Sequence, residues 1–102
     1  MKAEYIKNST ETIVRLHGEL DEHGATSIKR EIDEYLASHP ARVVVFDMAD
    51  VGFVDSTGLG FLLGRYKKLK DKHTELALSN VQKQVDKVFR ASGVYTFVPK
   101  ID

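Results

Sequence analysis

The segment Val54-Asp55-Ser56-Thr57-Gly58-Leu59-Gly60 places a carboxylate, two hydroxyls and two glycines where an apolar run gives way to an amphipathic one. Residues of these types in this order fit four chemistries: a helix cap, a catalytic nucleophile, a phosphate cradle and a phosphorylation switch. As a cap, the Ser56 or Asp55 side chain accepts a hydrogen bond from an otherwise unpaired N–H of the first helical turn, worth about 1 kcal/mol. A nucleophile elbow requires G-x-S-x-G, whereas the sequence reads V-D-S-T-G, with no glycine two places before the serine. His17, His23, His39 and His73 are scattered and match no H-E-x-x-H spacing, so neither a triad base nor a metal site is marked and no cofactor is expected.

Gly58, Gly60 and Gly64 follow G-x-G-x-x-x-G rather than the dinucleotide spacing, lie well past the preceding strand, and are not followed by a Walker lysine. This argues against a phosphate loop. Each glycine still costs about 1 kcal/mol relative to alanine inside a helix, so the trio requires a close packing or approach of some kind. A phosphoryl group on Ser56 would add roughly −1.5 to −2 charges at a helix start, drawn in by amide N–H groups and repelled by Asp55. That changes the sign and shape of a small patch without unfolding anything, which is enough to dismiss a partner presenting a carboxylate or a close-fitting apolar rim.

The elements that position this segment follow from hydrophobic period. "AEYIKN" and "ETIVRLHG" read as a hairpin joined by a turn at Asn8 to Glu11. Ile28, Ile32, Tyr35 and Leu36 form one helical stripe, stopped by His39-Pro40. "RVVVFDM" reads as a central strand covered on both faces. A second helix from Ser56 to His73 buries Leu59, Leu62, Leu63, Tyr66 and Leu69 and turns Arg65, Lys67, Lys68, Lys70 and Lys72 to water. "TELALS" is a short strand. "VQKQVDKVFRASG" is a helix with Val81, Val85, Val88 and Phe89 inward and Gly93 at its C-terminal cap, and "VYTFVP" closes the chain as a last strand. The order β-β-α-β-α-β-α-β predicts an α/β fold: a mixed sheet of about four to five strands with helices packed against it. No linker or internal repeat is evident.

Composition bounds the function. The 102 residues suit one domain, 1–102. Fifteen Lys and Arg balance fifteen Asp and Glu, so no global field recruits nucleic acid or membrane. Cysteine is absent, which excludes disulfides and thiolate chemistry. Neither a signal peptide nor a spanning apolar run is present, and a cytoplasmic location is the expectation.

"GELD" at 18–21, "FDMADVGFVDSTGLGFLLGRYKKLK" and "VDKVFRASGVYTFV" together resemble the STAS-domain anti-sigma factor antagonists of bacterial partner-switching systems, over about Glu11 to Val98. The resemblance implies that Ser56 is the regulatory serine, with Asp55 beside it and Asp21 in a loop close to it, and that Thr57 and Gly58 complete the partner-binding surface. It implies a protein that is not an enzyme: unphosphorylated, it binds an anti-sigma factor that is also a serine kinase, and so frees a sigma factor. Phosphorylation of Ser56 ends the interaction, and a metal-dependent serine phosphatase restores it. Relatives carry two serines where this chain has Ser56-Thr57, and they commonly continue into a C-terminal helix that is missing here, leaving apolar surface consistent with a monomer or a weak homodimer. The same fold also serves as a scaffold subunit of stress-sensing complexes, in which Ser56 would be mainly a cap.

Overall fold

The computed structural model describes all residues from Met1 to Asp102. Strands β1 (Lys2–Lys7) and β2 (Glu11–Leu20) form the expected hairpin. Its turn is held by Asn8, whose Oδ1 accepts from the N–H groups of Thr10 and Glu11 at 3.0 and 2.8 Å. Helix α1 (Glu22–Ser38), strand β3 (Val43–Val54), helix α2 (Ser56–Asp71), strand β4 (Glu75–Ser79) and helix α3 (Lys83–Ser92) follow. The four strands lie in the order β1-β2-β3-β4, antiparallel in the first pair and parallel in the other two. Two successive parallel steps in one direction, each crossing right-handedly, put α1 and α2 on the same face. Val14, Leu16, Val44, Phe46, Met48, Leu76 and Leu78 point to that face and join buried residues of all three helices in one core.

The last predicted strand is absent. Val94–Thr96 is instead a short 3₁₀ turn, and only Lys100 forms a parallel bridge, to Leu78. Gly93, at φ 78°, turns the chain in the left-handed region open to glycine, and the buried pair is Val94 and Val98, four residues apart, while Phe97 is half-exposed. The alternation read as a strand is thus a helical period over a short span. Asp86 of α3 fastens this turn, accepting from Tyr95 at 2.6 Å, Arg90 at 2.7 Å and Lys100 at 3.2 Å, and these contacts hold its carboxyl well below the usual range.

Helix α2 also departs from the expectation. Its buried residues are Gly58, Phe61, Leu62, Arg65 and Leu69, with Leu59, Leu63 and Tyr66 half-buried. Arg65 does not face water: it is 4% exposed, pairs with Asp33 of α1 at 2.9 Å and lies over the Phe61 ring. Burial lowers its pKa and the Asp33 charge opposes that shift. A charged residue reads as solvated in a helical wheel, yet α1 packs along α2 and brings the counter-charge that makes burial tolerable.

The opposite face of the sheet carries a cross-strand row of Ile6, Ile13, Val45 and Ala77, then polar rows. In one of these, His17 of β2 spans its neighbours, with Nδ1 2.6 Å from Asp50 of β3 and Nε2 against Glu4 of β1. The hydrogen bonds to Asp50 and then to Glu4 raise the imidazole pKa. A group whose pKa is raised by folding stabilises the fold below its unfolded pKa of about 6.5, and this contribution disappears as pH rises through the folded value. The melting temperature is therefore expected to fall modestly between about pH 6 and pH 9. Thermal unfolding of His17→Gln across the same range should lack that component.

Candidate functional site

The site grows from the parallel pairing of β2 with β3. Leu20 pairs with Val54, so both strands end at one level and the helices that follow start side by side. Each start has the same two residue types in the same places: Asp21-x-x-Gly24 and Asp55-x-x-Gly58. This short internal echo has nearly identical geometry in both copies. Asp21 (φ −105°, ψ −173°) caps α1 by accepting from Gly24 N–H at 2.8 Å, and Asp55 (φ −108°, ψ −172°) caps α2 by accepting from Gly58 N–H at 2.9 Å. Extended backbone with a side-chain oxygen on the third residue's N–H is the N-cap arrangement.

Asp55 does more than cap. Its second oxygen accepts from the N–H of Glu22 at 3.1 Å, and its own N–H donates to the carbonyl of Leu20 at 3.3 Å. One aspartate thus ties the start of α2 to the start of α1. Gly58 makes this approach possible: a Cβ there would stand 1.9 Å from the Leu20 carbonyl oxygen. At Gly24 it would stand 2.0 Å from that of Glu19. The close approach demanded by the glycines is therefore internal at Gly58, and a reason outside the chain is not needed there.

The arrangement settles which side chain is the cap. It is Asp55, which leaves Ser56 as the first helical residue, exposed and with no hydrogen bond to its hydroxyl. Thr57 is exposed beside it. The N–H groups at the head of a helix have no intrahelical partner and carry the positive end of the helix dipole, so an added anion at Ser56 meets them, while the carboxylate of Asp55, its neighbour in the chain, opposes it. The structure brings Asp21, Asp55, Ser56, Thr57 and Gly58 together at one end of the sheet. It adds Phe53, 51% exposed, which borders an open depression with Asp21, Glu22, His23 and Asp55. A phenylalanine in an apolar run reads as core; β3 outruns β4, which pairs only as far as Asp47, and the outer end of β3 leaves Phe53 uncovered. No group of side chains has the arrangement of a metal site, and no helix is long and apolar enough to cross a membrane.

Comparison with known proteins gives a consistent result. The STAS domain model matches residues 2–102. The anti-sigma F factor antagonist of Paenibacillus polymyxa is 36% identical over 90 residues, covering 88% of this chain and 77% of that protein. The anti-sigma-B factor antagonist of Bacillus subtilis is 28% identical over 88 residues, covering 86% and 79%. Among solved structures, the anti-sigma factor antagonist SpoIIAA in its unphosphorylated form superposes with a TM-score of 0.81 at 25% identity, covering 99% of this chain and 89% of that one. The phosphorylated form of the Bacillus SpoIIAA superposes at 0.72 and 24% identity, covering 99% and 92%. The family model, the mixed sheet and these likenesses agree: the chain belongs to the STAS-domain family of anti-sigma factor antagonists.

Proposed function

We propose that this protein binds an anti-sigma factor with serine-kinase activity, freeing a sigma factor, and that phosphorylation of Ser56 by that kinase switches the binding off. The supporting observation is the division of labour at the head of α2: Asp55 is the cap, so the Ser56 hydroxyl has no structural task and stands exposed. In this reading the whole chain acts as one cytoplasmic binding domain, with no reaction of its own, and a metal-dependent serine phosphatase resets it. Asp21, Asp55, Ser56, Thr57 and Gly58 form the surface that the kinase meets.

The switch is electrostatic. A phosphoserine adds roughly −1.5 to −2 charges to a patch that already holds three carboxylates, those of Asp21, Glu22 and Asp55. A partner docked over Ser56 would lose its fit and its charge match together, while the fold, anchored through Asp55, keeps its shape.

Calorimetric titration of purified anti-sigma factor tests this. Ser56→Ala is expected to bind like the unphosphorylated parent and to remain bound when ATP is added. Ser56→Asp, which carries less charge than a phosphate, is expected to bind about tenfold more weakly or worse, a loss of about 1.4 kcal/mol. Equal binding by both variants would leave Ser56 a bystander and favour the scaffold role.

A further inference from the structure

Parallel strands normally carry cover on both faces of their sheet. Here β2, β3 and β4 are parallel, yet the helices pack on one face and leave the other bare. Across that bare face the apolar row Ile6, Ile13, Val45 and Ala77 crosses all four strands. Its two ends are the exposed parts: Ile6 is 44% exposed, and Ile101, 58% exposed, shares a depression of about 450 Å³ with Val45 and Ala77. An apolar band on an otherwise polar, uncovered face suits contact with another chain.

The charges beside the row identify that chain. Glu11 and Arg15 stand two residues to either side of Ile13 on β2, so all three side chains point to the bare face. Glu11 takes part in hydrogen bonds through its backbone alone, which leaves its carboxylate free. Arg15 uses only Nε, on Asp47 at 3.2 Å, and its side chain is 49% exposed. A second copy related by a two-fold axis along the row would lay its β2 antiparallel over the first. Ile13 then meets Ile13, and Glu11 of each copy meets Arg15 of the other. An isologous contact repeats itself, so both ion pairs form together.

We propose that the bare sheet face is a homodimer interface, in which two sheets pack face to face along the apolar row and reciprocal Glu11–Arg15 pairs fix the register. Four strands about 4.8 Å apart and five residues deep cover on the order of 300–400 Å² per copy. That is about half of the roughly 800 Å² per partner of a stable complex, so the dimer is weak and forms only in concentrated solution. Both helix layers face outward, and the head of α2 with Ser56 stays uncovered. The dimer therefore stands apart from the phosphorylation switch and does not rest on it.

Sedimentation velocity of the full chain from micromolar to millimolar concentration tests this. The parent is expected to pass from monomer to dimer. Glu11→Arg and Arg15→Glu each set like charges against one another and are expected to weaken self-association about tenfold or more. Mixed in equal amounts, the two variants are expected to form a heterodimer of parent-like affinity, because each supplies the charge that the other lacks. Ile6→Glu changes an exposed position without burying a charge, and should stay monomeric with a parent-like circular dichroism spectrum. A parent that remains monomeric at millimolar concentration would overturn the proposal. So would a dimer that survives Ile6→Glu, or two folded charge-reversed variants that fail to associate when mixed.

Discussion

Gly58→Ala is expected to destabilise the protein by about 2–3 kcal/mol, although the same change in an open stretch of helix would stabilise it. The added methyl would stand 1.9 Å from the Leu20 carbonyl oxygen, a backbone atom that cannot rotate away. Relief requires α2 to lift from the end of β2 by more than an ångström, and that movement strains the 3.3 Å hydrogen bond from Asp55 N–H to the same carbonyl. The gain in helix propensity, up to about 1 kcal/mol, offsets only part of this. Gly60→Ala, two residues along, meets nothing and is the internal control. Urea denaturation of the two variants should therefore shift in opposite directions, and a stabilised Gly58→Ala would show that the strand–helix approach is looser than described.

Asp55→Ala is the second large effect. It deletes the cap on Gly58 and the acceptor for Glu22 N–H in one step. A lost cap costs about 0.5–2 kcal/mol, and the second contact takes the sum to about 2 kcal/mol or slightly more, because water can reach the freed Glu22 N–H and limits its share. Asp55→Asn keeps an acceptor oxygen for the cap and gives up the other contact, so it should recover more than half of the loss. Hydrogen exchange distinguishes a local from a global effect: the first turns of both α1 and α2 are expected to lose protection in Asp55→Ala. Exchange enhanced in α2 alone would mean that Asp55 does not join the two helices.

Both effects arise at a place that the sequence marked without resolving. Asp55, Ser56, Thr57 and Gly58 stand consecutively, so their shared role was legible from residue type alone. Which of Asp55 and Ser56 is the cap depends on backbone dihedrals at one residue, and it decides whether the serine hydroxyl is free. Asp21 joins them only through the parallel register of Leu20 with Val54, a long-range fact that local pattern does not contain. The echo of Asp-x-x-Gly at 21 and 55 was nevertheless present in the letters, and it signals two helices starting under the same constraint.

The existence and order of three helices and four strands were legible from hydrophobic period, but β3 was read only to Met48, whereas it continues to Val54 and brings Gly58 within four residues of the strand end. "VYTFVP" was not legible, since so short a run of β-branched and aromatic residues fits a strand and a single turn equally well, and Gly93 decided between them. Arg65 was misplaced for another reason. Its burial depends on Asp33, thirty-two positions earlier and on a different helix; a wheel drawn for one helix cannot see the partner charge.

Whether Ser56 is the phosphate acceptor of a binding switch is measured most directly by the intact mass of the protein after incubation with the cognate anti-sigma kinase and ATP, beside Ser56→Ala. A single added phosphate is expected on the parent and none on the variant, with release of the parent from the kinase as the phosphate accumulates. No added phosphate, with a complex that persists whether or not ATP is present, would contradict the switch and return Ser56 to a helix surface with no regulatory part.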